Sequence, residues 1–342
     1  MVIGFGSFLK DYLEHYNISQ VEFAERLDIS TKHLSEILNK NIDISNELMV
    51  AISLITDIDI NFIVKIENTK KIKEYLIKEF GDNLGSYLKQ FSINELEKYG
   101  WINFKHKSDI YQNAIDLLEF LKVRNFSAMN KITDKIMYKK KSDSDDTKVL
   151  LWISRCNIIA DKQDVREFKI ENFDKMLSFL KKEANNKFDY EKIKDEFNKN
   201  GFYFVIERAL PATKIRGCAK VRGDKPTIYL TTMYKDKASL YFALYHEIGH
   251  LKRSYNKAKN KYIIDSDDAL ELEADRFALN QMIDNESFSY IVNSIDIVKA
   301  SYEISNKKNI PLCFIVRNLA YKKYIKYTDK FYLDNKERID IE

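Results

Sequence analysis

The chain has 342 residues, 45% of them hydrophobic and 32% charged, and a formal charge of +4; this is an ordinary globular composition, long enough for two or three domains. Only three prolines and nine glycines occur, which excludes an all-β fold and predicts a mainly α protein with a small β-sheet (α+β). Cys156, Cys218 and Cys313 form no C-x-x-C pair, which excludes a disulfide framework and points to a reducing compartment.

No apolar run of about 18 residues and no leader-like start occur, so a cytoplasmic protein without a membrane partner is expected. Residues 7 to about 67 read as five short helices. Ser19-Gln20-Val21-Glu22 is a capping box opening the second, Ser30 caps a third over 31–39, and Ser45 caps a fourth over 46–56. Val21, Ala24, Leu27, Ile29, Leu34, Ile37 and Leu38 form the expected core.

Residues 70–140 read as basic and helical, with helical spacing over 70–78, a capped helix starting at Ser92 and an amphipathic stretch from Tyr111 to Leu121. Tyr99, Trp101 and Phe104 are expected in a core. The polar run 139–146 predicts an exposed linker. Helices are expected near 147–161, 171–184 and 189–199, the last stopped by Gly201. The period then changes: 202–206, 215–221 and 227–230 read as strands, and a helix follows over about 237–253. The resulting division is 1–69, 70–146 and 147–342, with a core at about 201–285.

The helix at 237–253 carries His246-Glu247-x-x-His250. At about 100° per residue the two histidines share a face one turn apart, so both imidazoles can reach one metal ion. Glu247, beside them, is a candidate general base. A hydrolytic zinc needs a third protein ligand. Glu271, 21 positions after His250 on a helix predicted over 267–282, is the candidate. Asp275, one turn on, is placed to hold the second N–H of a ligating imidazole, and Glu273 should point away. Ala274 and Ala278 would let the two helices pack closely. One zinc ion per chain is therefore expected. Cys218 is a minor alternative ligand; Tyr302 and Arg317 are weak candidates for an oxyanion donor. His15, His33 and His106 are set aside. The strand 227–230 is the expected sheet edge for an extended substrate.

The N-terminal pattern resembles a helix-turn-helix of the Cro/phage-repressor type, in its antitoxin-like branch. That resemblance implies Thr31, Lys32, Ser35 and Glu36 at base edges and Gln20 at a phosphate, with DNA reached through residues 19–39. The charge opposes it: residues 1–69 hold five Lys/Arg against eleven Asp/Glu, a local charge of −6. Both a DNA partner and a protein partner stand. Domains of this type commonly dimerise, which makes a homodimer an option.

Ile215-Arg216-Gly217, Thr227-Ile228-Tyr229-Leu230, Phe242-x-x-x-His246-Glu247-x-x-His250 and Glu271-x-Glu273-Ala274-Asp275-x-Phe277-Ala278 resemble the ImmA/IrrE family of metallo-endopeptidases. Residues 309–319 resemble its closing helix. The resemblance implies a zincin-like metallopeptidase domain and a protein substrate, a helix-turn-helix repressor whose cleavage releases stress, mobile-element or phage-related genes. Here the helix-turn-helix is fused in cis, which departs from the arrangement with a separate substrate. The alternative reading is a transcriptional regulator or antitoxin whose zinc domain senses or scaffolds.

Overall fold

The computed structural model describes residues 4–40, 42–104, 108–133, 137–138, 145–213, 215–255, 263–264 and 268–340. His106 and most of the expected linker at 139–146 lie outside them. The protein is mainly helical with a small mixed sheet, and the chain divides into two compact units, Met1–Lys122 and Val123–Glu342.

The first unit begins with α1 (Phe5–His15), α2 (Gln20–Arg26), α3 (Thr31–Lys40) and α4 (Asn46–Thr56). Ser19, Ser30 and Ser45 each accept a backbone N–H at their helix starts, at 3.1, 3.1 and 3.2 Å. The capping box at Ser19 is only half built, because the Glu22 carboxylate pairs with Arg26 instead. Phe5, Leu9, Phe23, Ala24, Leu27, Leu34, Ile37, Leu48 and Ile52 fill the core. Val21 corrects the sequence reading: it is 56% exposed, because α2 turns Phe23, Ala24 and Leu27 inward and leaves Val21 on the far face.

The fifth helix, α5 (Ile60–Phe80), is not short. It runs unbroken for 21 residues and contains the stretch 70–78 that reads in sequence as separate. Neither a glycine nor a proline interrupts it, and Glu67 and Lys70 are both buried. The Glu67 Oε1 accepts the Phe5 N–H at 2.8 Å, which satisfies a donor at the start of α1 and places a negative charge at that helix N-terminus. Three helices complete the unit: α6 (Leu84–Leu88), α7 (Ile93–Lys98) and α8 (Ile110–Leu121). Trp101 and Phe104 are buried, as expected. Ser92 precedes α7 with φ of 52° and makes no side-chain cap, so the expected capping there is absent.

The second unit contains α9 (Phe126–Thr133), β1 (Met137–Tyr138), α10 (Asp146–Ala160), α11 (Asn172–Glu183), α12 (Tyr190–Lys199), β2 (Tyr203–Glu207), β3 (Gly217–Arg222) and β4 (Lys225–Thr231). It continues with α13 (Lys237–Ser254), β5 (Ile263–Ile264), α14 (Asp268–Met282), α15 (Asn285–Val292), α16 (Ile297–Lys308), α17 (Leu312–Tyr321) and α18 (Lys330–Asp334). Gly201 adopts φ of +85° after α12, and a Cβ there would lie 2.4 Å from the Phe168 backbone, so glycine is required.

The strand order is β1-β5-β3-β4-β2. The hairpin β3–β4 is antiparallel, and β2 adds parallel to β4 with Tyr203 opposite Thr227. This corrects the reading of 227–230 as an edge: β4 is paired on both sides. Its uninterrupted burial from Pro226 to Thr231 is the mark of an interior strand. The register sends alternate residues to opposite faces. Val205, Cys218 and Tyr229 share one; Tyr229 meets Trp152 and hydrogen-bonds Asn157, both on α10. Phe204, Ala219, Ile228 and Leu230 face the other way and pack in one core with Tyr241, Leu244, Tyr245 and Ile248 of α13. That core fixes how α13 lies under the sheet.

Candidate metal centre

Asp236 opens α13 by accepting the Ser239 N–H at 2.9 Å. From there the helix is buried along most of its length. α14 packs against it through Ala274 and Ala278, at 4% and 0% exposure, and Gly249 lies against the Phe277 ring. Small residues on both helices permit this close crossing.

The crossing brings three donor groups together. His246 Nε2 and His250 Nε2 are 2.9 Å apart. Glu271 Oε2 lies 3.1 Å from His246 Nε2, and Glu271 Oε1 lies 3.0 Å from His250 Nε2. These residues offer ligand atoms all within 4.8 Å of one another. Tetrahedral zinc bonds of about 2.0–2.2 Å place donors about 3.3–3.5 Å apart, so a small outward movement accommodates an ion. Two imidazoles and a carboxylate are a donor set suited to zinc.

Asp275 Oδ1 contacts His246 Nδ1 at 2.9 Å. Burial would raise the Asp275 carboxyl, but the hydrogen bonds from His246 and Tyr321 hold it low, so it is an ionised acceptor. The proton of that contact therefore sits on Nδ1, and Nε2 faces the cluster. Burial opposes a charge on His246, yet the Asp275 and Glu271 carboxylates outweigh it and push the imidazole up to about 10. Glu271 is likewise held well below its usual range: burial raises it, and the two imidazoles lower it further.

Glu247 is 7% exposed and turns toward the sheet. Gly217 of β3, opposite Leu230 in the register, lies directly against it: a Cβ on Gly217 would come 2.8 Å from Glu247 Oε1. A cavity of about 240 Å³ opens beside His250, lined also by Leu270, Ala274 and Phe277. Glu273 points away and pairs with Arg253.

The other sequence candidates fall elsewhere. Cys218 is buried, its thiol pushed up by desolvation and by the Glu247 charge, and it is not among the converging donors. Tyr302 is 47% exposed on α16, with its ring against Phe331. Arg317 is 8% exposed and stacks its guanidinium 3.8 Å over the Phe242 ring rather than reaching a donor of the cluster. Tyr321 escaped the sequence reading: its hydroxyl donates to Asp275 Oδ2 at 2.6 Å. Its place one turn after Arg317 on α17 was the available signal.

In the first unit, Thr31 and Lys32 are exposed at the start of α3, and Gln20, Ser35 and Glu36 are half-buried. Glu36 pairs with Lys40 at 3.0 Å, which leaves Lys32 as the cation of that helix outside an ion pair among the described residues.

A helix-turn-helix family model matches residues 9–63, so the chain carries a helix-turn-helix domain in its first unit. Comparisons with curated proteins and with solved structures gave no match. Among the described residues, no helix is long and apolar enough to cross a membrane.

Proposed function

We propose that the second unit is a zinc-dependent endopeptidase domain of the ImmA/IrrE type, coupled to the helix-turn-helix and acting on a repressor-type protein. The observation that carries the reading is the convergence of His246, His250 and Glu271, with Glu247 following His246 in the sequence. Zinc held by those three residues would supply a Lewis acid and a water acidic enough to ionise near neutral pH. The chain's own groups do the rest. Asp275 holds the His246 ring in one tautomer. Glu247, adjacent in sequence and largely screened from solvent, takes the proton of the attacking water and returns it to the leaving amine. Gly217 leaves room for that carboxylate.

The test uses Glu247→Gln, which keeps the shape of the side chain and removes its basicity. The variant should bind zinc like the wild type and lose peptide cleavage by about 100-fold or more. Mass spectrometry of cellular proteins cut by the wild type alone would identify the substrate. Full biological effect from Glu247→Gln would sink the peptidase reading.

A second reading draws on the helix-turn-helix match itself. The chain would be a DNA-binding regulator whose metal centre senses or scaffolds. Intact regulation by Glu247→Gln together with zinc-dependent DNA binding would favour it.

A further inference from the structure

Helix α17 reaches the metal centre without supplying a ligand. Tyr321, the last residue of α17, donates its hydroxyl to Asp275 Oδ2 at 2.6 Å, and Asp275 Oδ1 meets His246 Nδ1 at 2.9 Å. One carboxylate thus bridges a residue of α17 and a residue of α13. We infer that Tyr321 is a positioning residue of the metal centre, acting on zinc affinity through Asp275 and the His246 ring. This rests on the zinc reading above and adds a residue to it.

Three observations support the inference. A carboxylate whose two oxygens are held by different partners cannot rotate without breaking one of them, so Tyr321 restricts the orientation in which Asp275 meets His246. The phenol is pushed up to about 12 by burial and by the Asp275 carboxylate, so its hydroxyl keeps its proton and donates. Tyr321 is itself held. Its ring lies 5.8 Å from Phe242, and the Arg317 guanidinium, buried against Phe242, lies 5.7 Å from the Tyr321 ring. Phe242 sits one turn before His246, with ring centroids 6.1 Å apart. Arg317 therefore finds its place as a flat cation under two aromatic rings, one of which carries the bridging hydroxyl.

The experiment measures zinc affinity of the full chain by competition with a chromophoric chelator, for the wild type, Tyr321→Phe, Asp275→Ala and the double variant. Tyr321→Phe keeps the ring and deletes one oxygen. It should weaken zinc binding about tenfold, within the range that outer ligand-orienting groups command. Because Tyr321 acts through Asp275, adding Tyr321→Phe to Asp275→Ala should cost nothing more. The metal-free unfolding midpoint should move little. Zinc affinity of Tyr321→Phe within twofold of the wild type would overturn the inference while leaving the metal centre standing. So would a double variant weakened by the full product of the two single effects, or a loss of affinity matched by an equal loss of metal-free stability. A wild type that binds no zinc would overturn both this inference and the peptidase reading, and that outcome is distinguished by the wild-type titration itself.

Discussion

Each unit gathers a cluster of charged side chains, and the two clusters differ in what neutralises them. In the first, Glu67 and Lys70 are each 1% exposed. Lys70 reaches Asp43 at 2.9 Å and Glu67 at 3.9 Å, and Lys71 approaches Asp43 at 3.9 Å. A lysine side chain pairs with a carboxylate by donating hydrogen bonds, so these carboxylates are tied to partners that do not share a metal ion with them. In the second, Glu271 meets two imidazoles, and Asp275 meets an imidazole and a phenol. An imidazole is a cation only when it binds a proton, and the cluster draws one onto His246. A divalent ion can take the place of that proton. Lysine partners therefore mark a cluster that holds helices together, and histidine partners mark one whose positive charge is exchangeable.

The largest expected effect tests the exchangeable cluster. Glu271→Ala removes a carboxylate donor and leaves two imidazoles. Binding free energies of about 10–16 kcal/mol spread over four donors suggest a fall in zinc affinity of roughly a hundred- to a thousandfold. Chelator competition reads it, and Lys70→Met should leave the same measurement unchanged. Wild-type zinc affinity in Glu271→Ala would erase the contrast between the two clusters.

Lys70→Met tests the other side. It strands the Glu67 carboxylate in the core of the helix-turn-helix unit and should cost about 3 kcal/mol, the low end for a broken buried pair because Asp43 is largely exposed. The chain has two tryptophans, Trp101 in the first unit and Trp152 in the second. In a Trp152→Phe background, Trp101 fluorescence during urea unfolding reports the first unit. An unchanged midpoint would mean that the lysine cluster holds nothing together.

How much of this was legible in the sequence follows from how local each signal is. His246, Glu247 and His250 lie within one turn and a half of a single helix, so helical geometry alone puts the histidines on one face. Glu271 and Asp275 share a face for the same reason, and the distance between the two helices was hinted at by Ala274 and Ala278. The helix-turn-helix was legible because its caps and apolar spacing are local too. What escaped depended on partners distant in sequence. The interior position of β4 is set by β2 joining it from more than 20 residues upstream. Tyr321 meets Asp275 across 46 positions, and Glu67 meets the Phe5 N–H across 62. No spacing rule connects such pairs. The continuity of α5 through residue 70 was obscured by reading a change of composition as a boundary.

The smallest expected effect concerns the surface of the first unit, where charge is sparse rather than buried. Cations on and near α3 are mostly engaged: Arg26 by Glu22, Lys40 by Glu36 at 3.0 Å, and Lys10 by Asn39 at 3.3 Å. Among the described residues, Lys32 is exposed at the start of α3 and is in no ion pair, so DNA can meet it, at a base edge or a phosphate, without breaking one. Any duplex affinity of this domain should then rest on few phosphate contacts. Each contact contributes a slope of about −0.9 to the dependence of log affinity on log salt, so a slope near −1 to −2 is expected. Lys32→Glu should flatten that slope by about one and leave zinc affinity untouched. The measurement is fluorescence anisotropy of a labelled duplex over a salt series starting near 20 mM (about the regime where the Debye length exceeds 10 Å). A steep slope insensitive to Lys32→Glu would place the phosphate contacts elsewhere on the chain. No affinity even at low salt would assign the acidic domain to a protein partner, and the fused helix-turn-helix would then serve to recruit that partner.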